Sequence, residues 1–518
     1  MRHSIGRRDF LKWAGAGTAL VSLPGWAGCR RTGGAPELLG GAAAPGAHGT
    51  YFARFGVSEP LMQRVLAKGL SRGGDFCDLY FEHSIRHTIG MRDGEINRAF
   101  SGVDLGAGIR VLKGEAAGFA YCEDLSEKAL LSAADTAAAV ADSGGDARPA
   151  PLVAVDVPNY YLIRVPWSEV GIEQRLPLIE HTEQVARRRD PRIVKVSVFL
   201  IDETSHILIA NSEGLLVEDE RPMATGYVTC VAREGERTES ASESISARQG
   251  IEFVNAENLA ELATDVADMA VRALSAVEAP SGELPIVLAP AHSGILLHEA
   301  IGHGMEADFN RKGMSIYADK IGSRIACEHV TVIDDGTNPG VRGTINVDDE
   351  GNASQRTVLV ERGILRSYMH DRISARHYGV APTGSGRRQS FRFPPVPRMR
   401  NTFMLGGPHD PREIIASVRK GIYAENFANG EVKIGAGDFT FYVLHGRLIE
   451  EGRLTASIKD VNLVGSGPAV LESIDMVGGD LEMMRSGGSC GKDGQMVPVS
   501  YGMPTVRAHR ITIGGRDA

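Results

Sequence analysis

Cysteine is scarce. The chain has 518 residues and six cysteines, too few for a disulfide scaffold at this length. Positive charge is not in excess either. Lys plus Arg total 56 against 65 Asp plus Glu, a formal net charge of −9, which argues against a strongly basic nucleic-acid binder. The one apolar run near the N-terminus, Trp13 to about Leu23, falls short of the roughly 20 residues that span a bilayer. Phosphate-cradling loops are missing. Gly491-Lys492 is followed by Asp493, Ser486 stands where the first Gly of such a loop belongs, and no G-x-G-x-x-G occurs. No segment repeats at a fixed period, so a solenoid has no support. Glycine, by contrast, is abundant: 62 of 518 residues, well above the usual share of about 7%. The excess predicts many turns, short strands and close backbone approaches. A 43% hydrophobic fraction suffices for sizeable cores and excludes global disorder.

The first residues read as an address. Arg7-Arg8-Asp9-Phe10-Leu11-Lys12 precedes the small-residue apolar run, and a charged start before a short apolar stretch is a secretory signature. The Arg pair in this setting resembles the twin-arginine export signal. Trp26-Ala27-Gly28-Cys29 resembles a lipoprotein processing site, although Trp26 stands where an aliphatic residue is usual. Residues 1–28 are therefore read as signal peptide, with membrane attachment only if Cys29 is lipidated. Residues 29–50, rich in Gly, Ala and Pro, read as a tether. Removing the signal takes away a net +3 and leaves −12, which argues further against electrostatic binding of anionic lipid or nucleic acid.

Beyond residue 50 the pattern predicts an α+β protein of two domains. Residues 51–282 read as an α/β N-terminal domain, and 283–518 as a mostly antiparallel β domain. Helical spacing predicts helices over 58–72, 126–141 with Ser126 as N-cap, 170–189 interrupted by Pro177, and 256–279. Strands are expected at 76–81, 109–112, 119–121, 193–200, 205–210, 215–218 and 226–231, with Asn211 to Gly214 as a hairpin turn. Pro280 to Pro285 reads as a junction.

One constellation carries chemistry. His298-Glu299-Ala-Ile-Gly302-His303-Gly304 is close to the zinc-peptidase helix H-E-x-x-H, but its histidines are five apart instead of four. Five helical steps of 100° overshoot a full turn by about 140°. The helix must end, widen or bend near His303, and Gly302 and Gly304 make such a distortion cheap. A catalytic zinc needs a third protein ligand. Glu306, Asp308, another His or a Cys are candidates, and Cys490 stands out within Gly487-Gly-Ser-Cys-Gly-Lys492-Asp-Gly-Gln495. Lys492 is expected to help depress that thiol.

The segment His298-Glu-Ala-Ile-Gly-His303-Gly-Met-Glu-Ala-Asp308-Phe-Asn310-Arg-Lys312 resembles the signature of the TldD/PmbA metallopeptidase family. Gly106 to Gly114, Gly386 to Gln389 and Pro397 to Thr402 add to the likeness, which covers nearly all of 51–518. The resemblance implies Zn²⁺ held by His298, His303 and Cys490, with Glu299 as the catalytic base. It also implies a peptide or unfolded-protein substrate, captured by strand addition in a closed cavity. A homodimer, or a heterodimer with a PmbA-like subunit, is implied as well. The family's partner-type subunit lacks the metal residues, and this chain keeps them, so it resembles the active TldD type. An export signal is a departure from a family associated mainly with the cytoplasm, and points to a periplasmic or other extracytoplasmic location.

Two other readings remain open on sequence. One is a non-catalytic peptide-binding subunit of such a complex. The other is a copper electron-transfer site, since two His, one Cys and a Met can bind copper. Arg398 and Asn401 are either peptide contacts or structural residues. Asp334-Asp335 and Asp348-Asp349-Glu350 read as solvated acidic turns. His370 and His377 read as ordinary residues, and the pairing of Cys77, Cys122, Cys230 and Cys327 is left undetermined.

Overall fold

The computed structural model describes residues 50–141, 147–459 and 461–514. The signal, most of the tether and Cys29 lie outside the described residues. Among the described residues, no helix is long and apolar enough to cross a membrane.

The N-terminal half is built from six principal strands: β1 (Phe76–Arg92), β2 (Glu95–Lys113), β3 (Ala116–Cys122), β4 (Ile193–Asn211), β5 (Leu215–Glu234) and β6 (Arg237–Ala247). They lie in the order β3-β2-β1-β4-β5-β6, antiparallel throughout. Two meanders thus join edge to edge through the β1–β4 pairing. Four helices, α1 (Glu59–Leu70), α2 (Glu127–Ala138), α3 (Ile172–Arg189) and α4 (Ala256–Ala273), cover one face. Alternation along the strands decides which side chains meet them. Cys77, Leu79 and Ile109 pack under Leu61, Val65 and Leu130 of α1 and α2. Val196, Val198 and Val228 pack under Ile179, Leu259, Leu262 and Val266 of α3 and α4. Ser126 caps α2 as its position suggested, accepting from the Ala129 N–H. Pro177 is accommodated inside α3.

Strands that the pattern splits run through as one. Residues 193–200 and 205–210 belong to a single β4, because Asp202, the polar break between them, is neutralised. Its carboxylate lies 2.9 Å from Arg175 and 2.8 Å from the His87 ring. β5 likewise absorbs Asp219 and Arg221, which pair with each other at 2.8 Å. The fourth helix stops at Ala273, short of 279, because Val277 donates its N–H to the Ser457 carbonyl and joins a strand edge.

In the C-terminal half, Gly282–Leu288 is already a strand, so the Pro280 to Pro285 segment is half sheet. It pairs with Lys420–Lys433 on one side and Val506–Gly514 on the other. Lys420–Lys433 also pairs with Asp438–Glu450, which pairs with Val461–Ser466, which returns to Val506–Gly514. The pairings close a ring, and its core holds Leu296, Leu297, Ala300 and Ile301 among Phe439, Phe441, Val443 and Leu463. A second sheet runs through Val332–Asp335 and Asn401–Met404 to Ser500–Met503.

The acidic stretches are not solvated turns. Asp334, Asp348, Asp349 and Glu350 are all buried. Arg400 meets Asp334 at 2.8 Å, Arg221 meets Asp349 at 2.6 Å, and Arg110 meets Glu350 at 2.8 Å while also gripping Asp78. The partners come from far along the chain, out of reach of local pattern. Cys77, Cys122, Cys230, Cys327 and Cys490 are free thiols.

Candidate metal centre

Residues 291–311 form a succession of short helical turns. A 3₁₀ turn Ala291–Gly294 leads into one α turn, Ile295–Leu297. A π turn His298–Gly302, a 3₁₀ turn His303–Met305 and a last α turn Ala307–Arg311 follow. The deciding bond runs from the His303 N–H to the His298 carbonyl, five residues back. Such a turn accommodates one extra residue. It removes most of the angular offset that five residues create on an α-helix, so both rings face one way. Their centroids are 5.0 Å apart and the planes are 83° to each other.

Gly302 and Gly304 are needed here for space. A Cβ on Gly302 would lie 1.9 Å from Met399 Sδ, and one on Gly304 would lie 2.6 Å from the Tyr317 ring. Glycine lets the turn press against both neighbours, and backbone freedom is the lesser part of its role.

Cys490 arrives on a hairpin, Ser489–Lys492 against Gln495–Pro498, paired opposite Val497. Its two-residue turn is Asp493-Gly494, with φ of 50° and 72°. Two successive positive φ values suit the twist of a tight hairpin, and Asp-Gly is a favoured sequence for it. The Arg398 guanidinium, fully buried, donates to the Cys490 carbonyl and fixes the hairpin from behind.

Ligand-type atoms of His298, His303 and Cys490 lie within 4.8 Å of one another, all three residues buried. Cys490 Sγ is 3.4 Å from His303 Nε2. Bonds of about 2.0 Å to nitrogen and 2.3 Å to sulfur at tetrahedral angles would place such donors about 3.5 Å apart. The trio therefore fits a tetrahedral ion with mixed nitrogen and sulfur ligands. Burial opposes ionisation of Cys490, yet the adjacent His298 and His303 hold its thiol well below the usual range. Burial likewise opposes protonation of His303, but Glu306 and Cys490 hold it well above its own.

Glu299 is mostly buried, with Oε2 at 4.0 Å from His303 Nε2. Burial raises its pKa, and the two histidines pull it back. Glu306 and Asp308, candidates for the third ligand, take supporting positions instead. Glu306 Oε2 lies 3.0 Å from His303 Nδ1 and 3.2 Å from Lys492 Nζ. That contact leaves Nε2 to face the thiol, the arrangement by which a carboxylate orients a ligating His. Burial opposes its charge, but Lys492 and His303 hold Glu306 down to about 2. Lys492 does not serve the thiol as expected. Its Nζ is spent on Asp308 at 2.7 Å, Glu306 and the Pro397 carbonyl at 3.0 Å. Asn401 is structural, donating to the Asp335 carbonyl at 2.7 Å and to Thr344. His370 is a core residue and His377 a surface one paired with Glu115 at 2.6 Å. Sequence reasoning missed the roles of Glu306 and Arg398. Only the i,i+3 spacing of His303 and Glu306 could have flagged one of them.

Family models match along most of the chain. The PmbA/TldA metallopeptidase domain 1 matches residues 77–141, its central domain 165–274 and its C-terminal domain 281–515. A metalloprotease TldD homolog from Haemophilus influenzae is 38% identical over 86% of this chain and 94% of its own length. One from Buchnera aphidicola is 37% identical over 85% and 93%. The chain belongs to the TldD/PmbA family of metallopeptidases. Its fold is also that of TldE from Thermococcus kodakarensis, with a TM-score of 0.70 at 19% identity, covering 88% of this chain and all of that one. Residues 4–24 match the twin-arginine translocation signal model, which supports export of this TldD/PmbA-family metallopeptidase by that route.

Proposed function

We propose that the chain is a zinc-dependent peptidase that hydrolyses peptide bonds in peptides or unfolded protein segments. His298, His303 and Cys490 would hold the ion, and Glu299 would act as the base. The observation that carries this reading is the π turn, which brings two histidines five residues apart to one side, 3.4 Å from a buried thiol at the nearer ring. A zinc ion bound there supplies Lewis acidity, polarising a carbonyl and acidifying water near neutral pH.

The protein's own groups do the rest. Glu299, on the residue after the first ligand, accepts the proton of the attacking water at its carboxylate and returns it to the leaving amine. Burial raises its carboxyl above the ordinary range, and His298 and His303 pull it back. Glu306 fixes the His303 tautomer, and Arg398 and the Asp493-Gly494 turn hold the thiol in register. The paired subunit is either a second copy or a TldE-like chain. The working compartment is the periplasm or another extracytoplasmic space, with a lipid anchor if Cys29 is processed.

Zinc content and cleavage of casein with and without chelator test the reading. Glu299→Gln should retain the metal and lose about 10²- to 10⁴-fold in rate. Full activity in that variant rejects Glu299 as base. Purified protein with no metal and no cleavage of any unfolded substrate favours the non-catalytic subunit.

A further inference from the structure

One sizeable cavity lies apart from the metal-ligand trio. It has a volume of about 1070 Å³, and its floor is the helix-free face of the N-terminal sheet. Alternate residues of β1, β2, β4 and β5 point into it, as the two-residue period requires. The opposite wall includes Ser489, Val497 and Pro498 from the Cys490 hairpin, while His298, Glu299 and His303 take no part. The cavity therefore adjoins the metal centre through one hairpin.

Its charge is lopsided. Eight arginines line it against four carboxylates. Some are matched: Arg221 by Asp349, and Arg392 by Asp104. Arg248, Arg342 and Arg387 have no carboxylate within ion-pair distance among the described residues and feel Asp349, Glu203 and Asp219 only from farther off. Arg248 gives Nη1 to the Pro222 carbonyl at 3.2 Å and has a buried Nε with no partner. Arg342 is spent on the Gly488 carbonyl at 2.8 Å and Ser246 Oγ at 2.6 Å. Arg387 bonds the Met399 and Pro498 carbonyls at 2.6 and 2.8 Å. Arg248 is 6% exposed and Arg387 is 3% exposed. Burial pushes Arg342 down to about 10 and Arg387 to about 9; Arg248 repels both, and distant Glu203 and Asp349 offset that only in part. Buried unpaired charge is costly unless something answers it.

We propose that this cavity is a carboxylate-recognising subsite, in which Arg248, Arg342 and Arg387 hold an acidic stretch of a peptide. Guanidinium groups bind carboxylates through paired, planar hydrogen bonds. The volume lies at or above the roughly 300–1,000 Å³ of small-molecule pockets, and Ile201, Ile207, Met223 and Tyr227 in the wall suit a chain with apolar residues between its acids. Capture of an acidic peptide rests on the peptidase reading above only in that the captured chain is the substrate.

The test is fluorescence anisotropy on the metal-loaded, full-length protein, with labelled hexaglutamate and hexaglutamine as probes. Hexaglutamate should bind about tenfold or more tightly than hexaglutamine, the discrimination of a charge-assisted hydrogen bond. Arg342→Gln, at the least buried of the three, should abolish that preference, and Arg342→Lys should restore part of it. A melting curve matching the parent's confirms that each variant is folded. Equal affinity for the two probes, or a preference unchanged in folded Arg342→Gln, overturns the subsite. So does displacement of hexaglutamate by oligothymidylate of equal charge at equal concentration, which would mark a general polyanion site. Casein cleavage is followed in the same preparations. Cleavage without a hexaglutamate preference rejects the subsite and leaves the peptidase standing. A hexaglutamate preference without any cleavage does the reverse.

Discussion

Glu306→Gln isolates what the buried carboxylate does for the metal. The side chain is 0% exposed and has three basic neighbours: His303 Nδ1 at 3.0 Å, Lys492 Nζ at 3.2 Å and Arg398 Nε at 3.9 Å. Glutamine keeps the shape and one acceptor oxygen for the His303 N–H. It removes the charge that makes that imidazole a stronger donor to an ion. Loss of such an orienting group costs about 10- to 100-fold in metal affinity, or about 1.4 to 2.8 kcal/mol. Lys492 retains Asp308 at 2.7 Å, so the lysine is not stranded and the fold should survive. The assay is zinc competition against a chromophoric chelator at fixed pH, with a melting curve on the same sample. Asp308→Asn is the control. It also removes a carboxylate from Lys492 but does not touch His303, and should shift affinity by less than about tenfold. A folded Glu306→Gln protein that binds zinc as tightly as the parent refutes the orienting role. An equal loss in Asp308→Asn would show that general charge balance, and not the His303 contact, is what matters.

Three further outcomes follow from packing and burial. Gly302→Ala sets a methyl 1.9 Å from Met399 Sδ and should lower stability by about 1–3 kcal/mol; a urea midpoint equal to the parent's would show that close approach does not select this glycine. Arg110→Met leaves Asp78 and Glu350 buried without their guanidinium, a loss of about 3–5 kcal/mol, and adding Asp78→Asn with Glu350→Gln should recover most of it in the same unfolding assay. Burial raises the Glu82 carboxyl from 4.5 to about 8, against a lowering bond from the Phe391 N–H. The folded state then holds a proton that the unfolded chain releases above pH 4.5, so stability should fall as pH rises from about 4.5 to 8. Glu82→Gln should flatten that slope, and an unchanged slope would assign it to other groups.

The metal constellation was legible because its oddity was local. A five-residue His spacing is incompatible with a regular α-helix, so the pattern itself demanded a distortion between His298 and His303. A π turn there is one of three ways to meet that demand. Cys490 was less legible. Its 187-residue separation from His303 carries no geometric information, and only family resemblance connected the two. The Asp493-Gly494 pair was a readable hairpin signal, yet a hairpin does not say what it faces. Helix positions followed the apolar period closely, since α1 to α4 each bury one stripe against the sheet. Strand lengths were underestimated wherever a charged residue sat mid-strand, as at Asp202 and Asp219.

Those mid-strand charges and the misread acidic turns have one cause. Pattern analysis treats a carboxylate as a solvent-seeking group, which holds unless a cation is delivered to it by the fold. Here the cation comes from another part of the chain: Arg110 reaches Glu350 across 240 positions, and Arg221 reaches Asp349 across 128. Both arginines lie on strands of the N-terminal sheet, on the face turned away from the helices. That face has apolar residues too, with Tyr80, Ile207 and Val217 packed on Val347 and Phe391. A wholly apolar face would allow the two halves to slide over many registers with little penalty. Buried ion pairs do not, because each misplacement leaves a charge unanswered at several kcal/mol. The arginines therefore fix how the sheet meets the C-terminal segments, and the same meeting surface forms the wall that carries the Cys490 hairpin. Neutralising Asp349 together with Arg221 should consequently loosen the placement of that hairpin more than it lowers global stability, an effect readable as faster hydrogen exchange at 489–498 with little change in the unfolding midpoint.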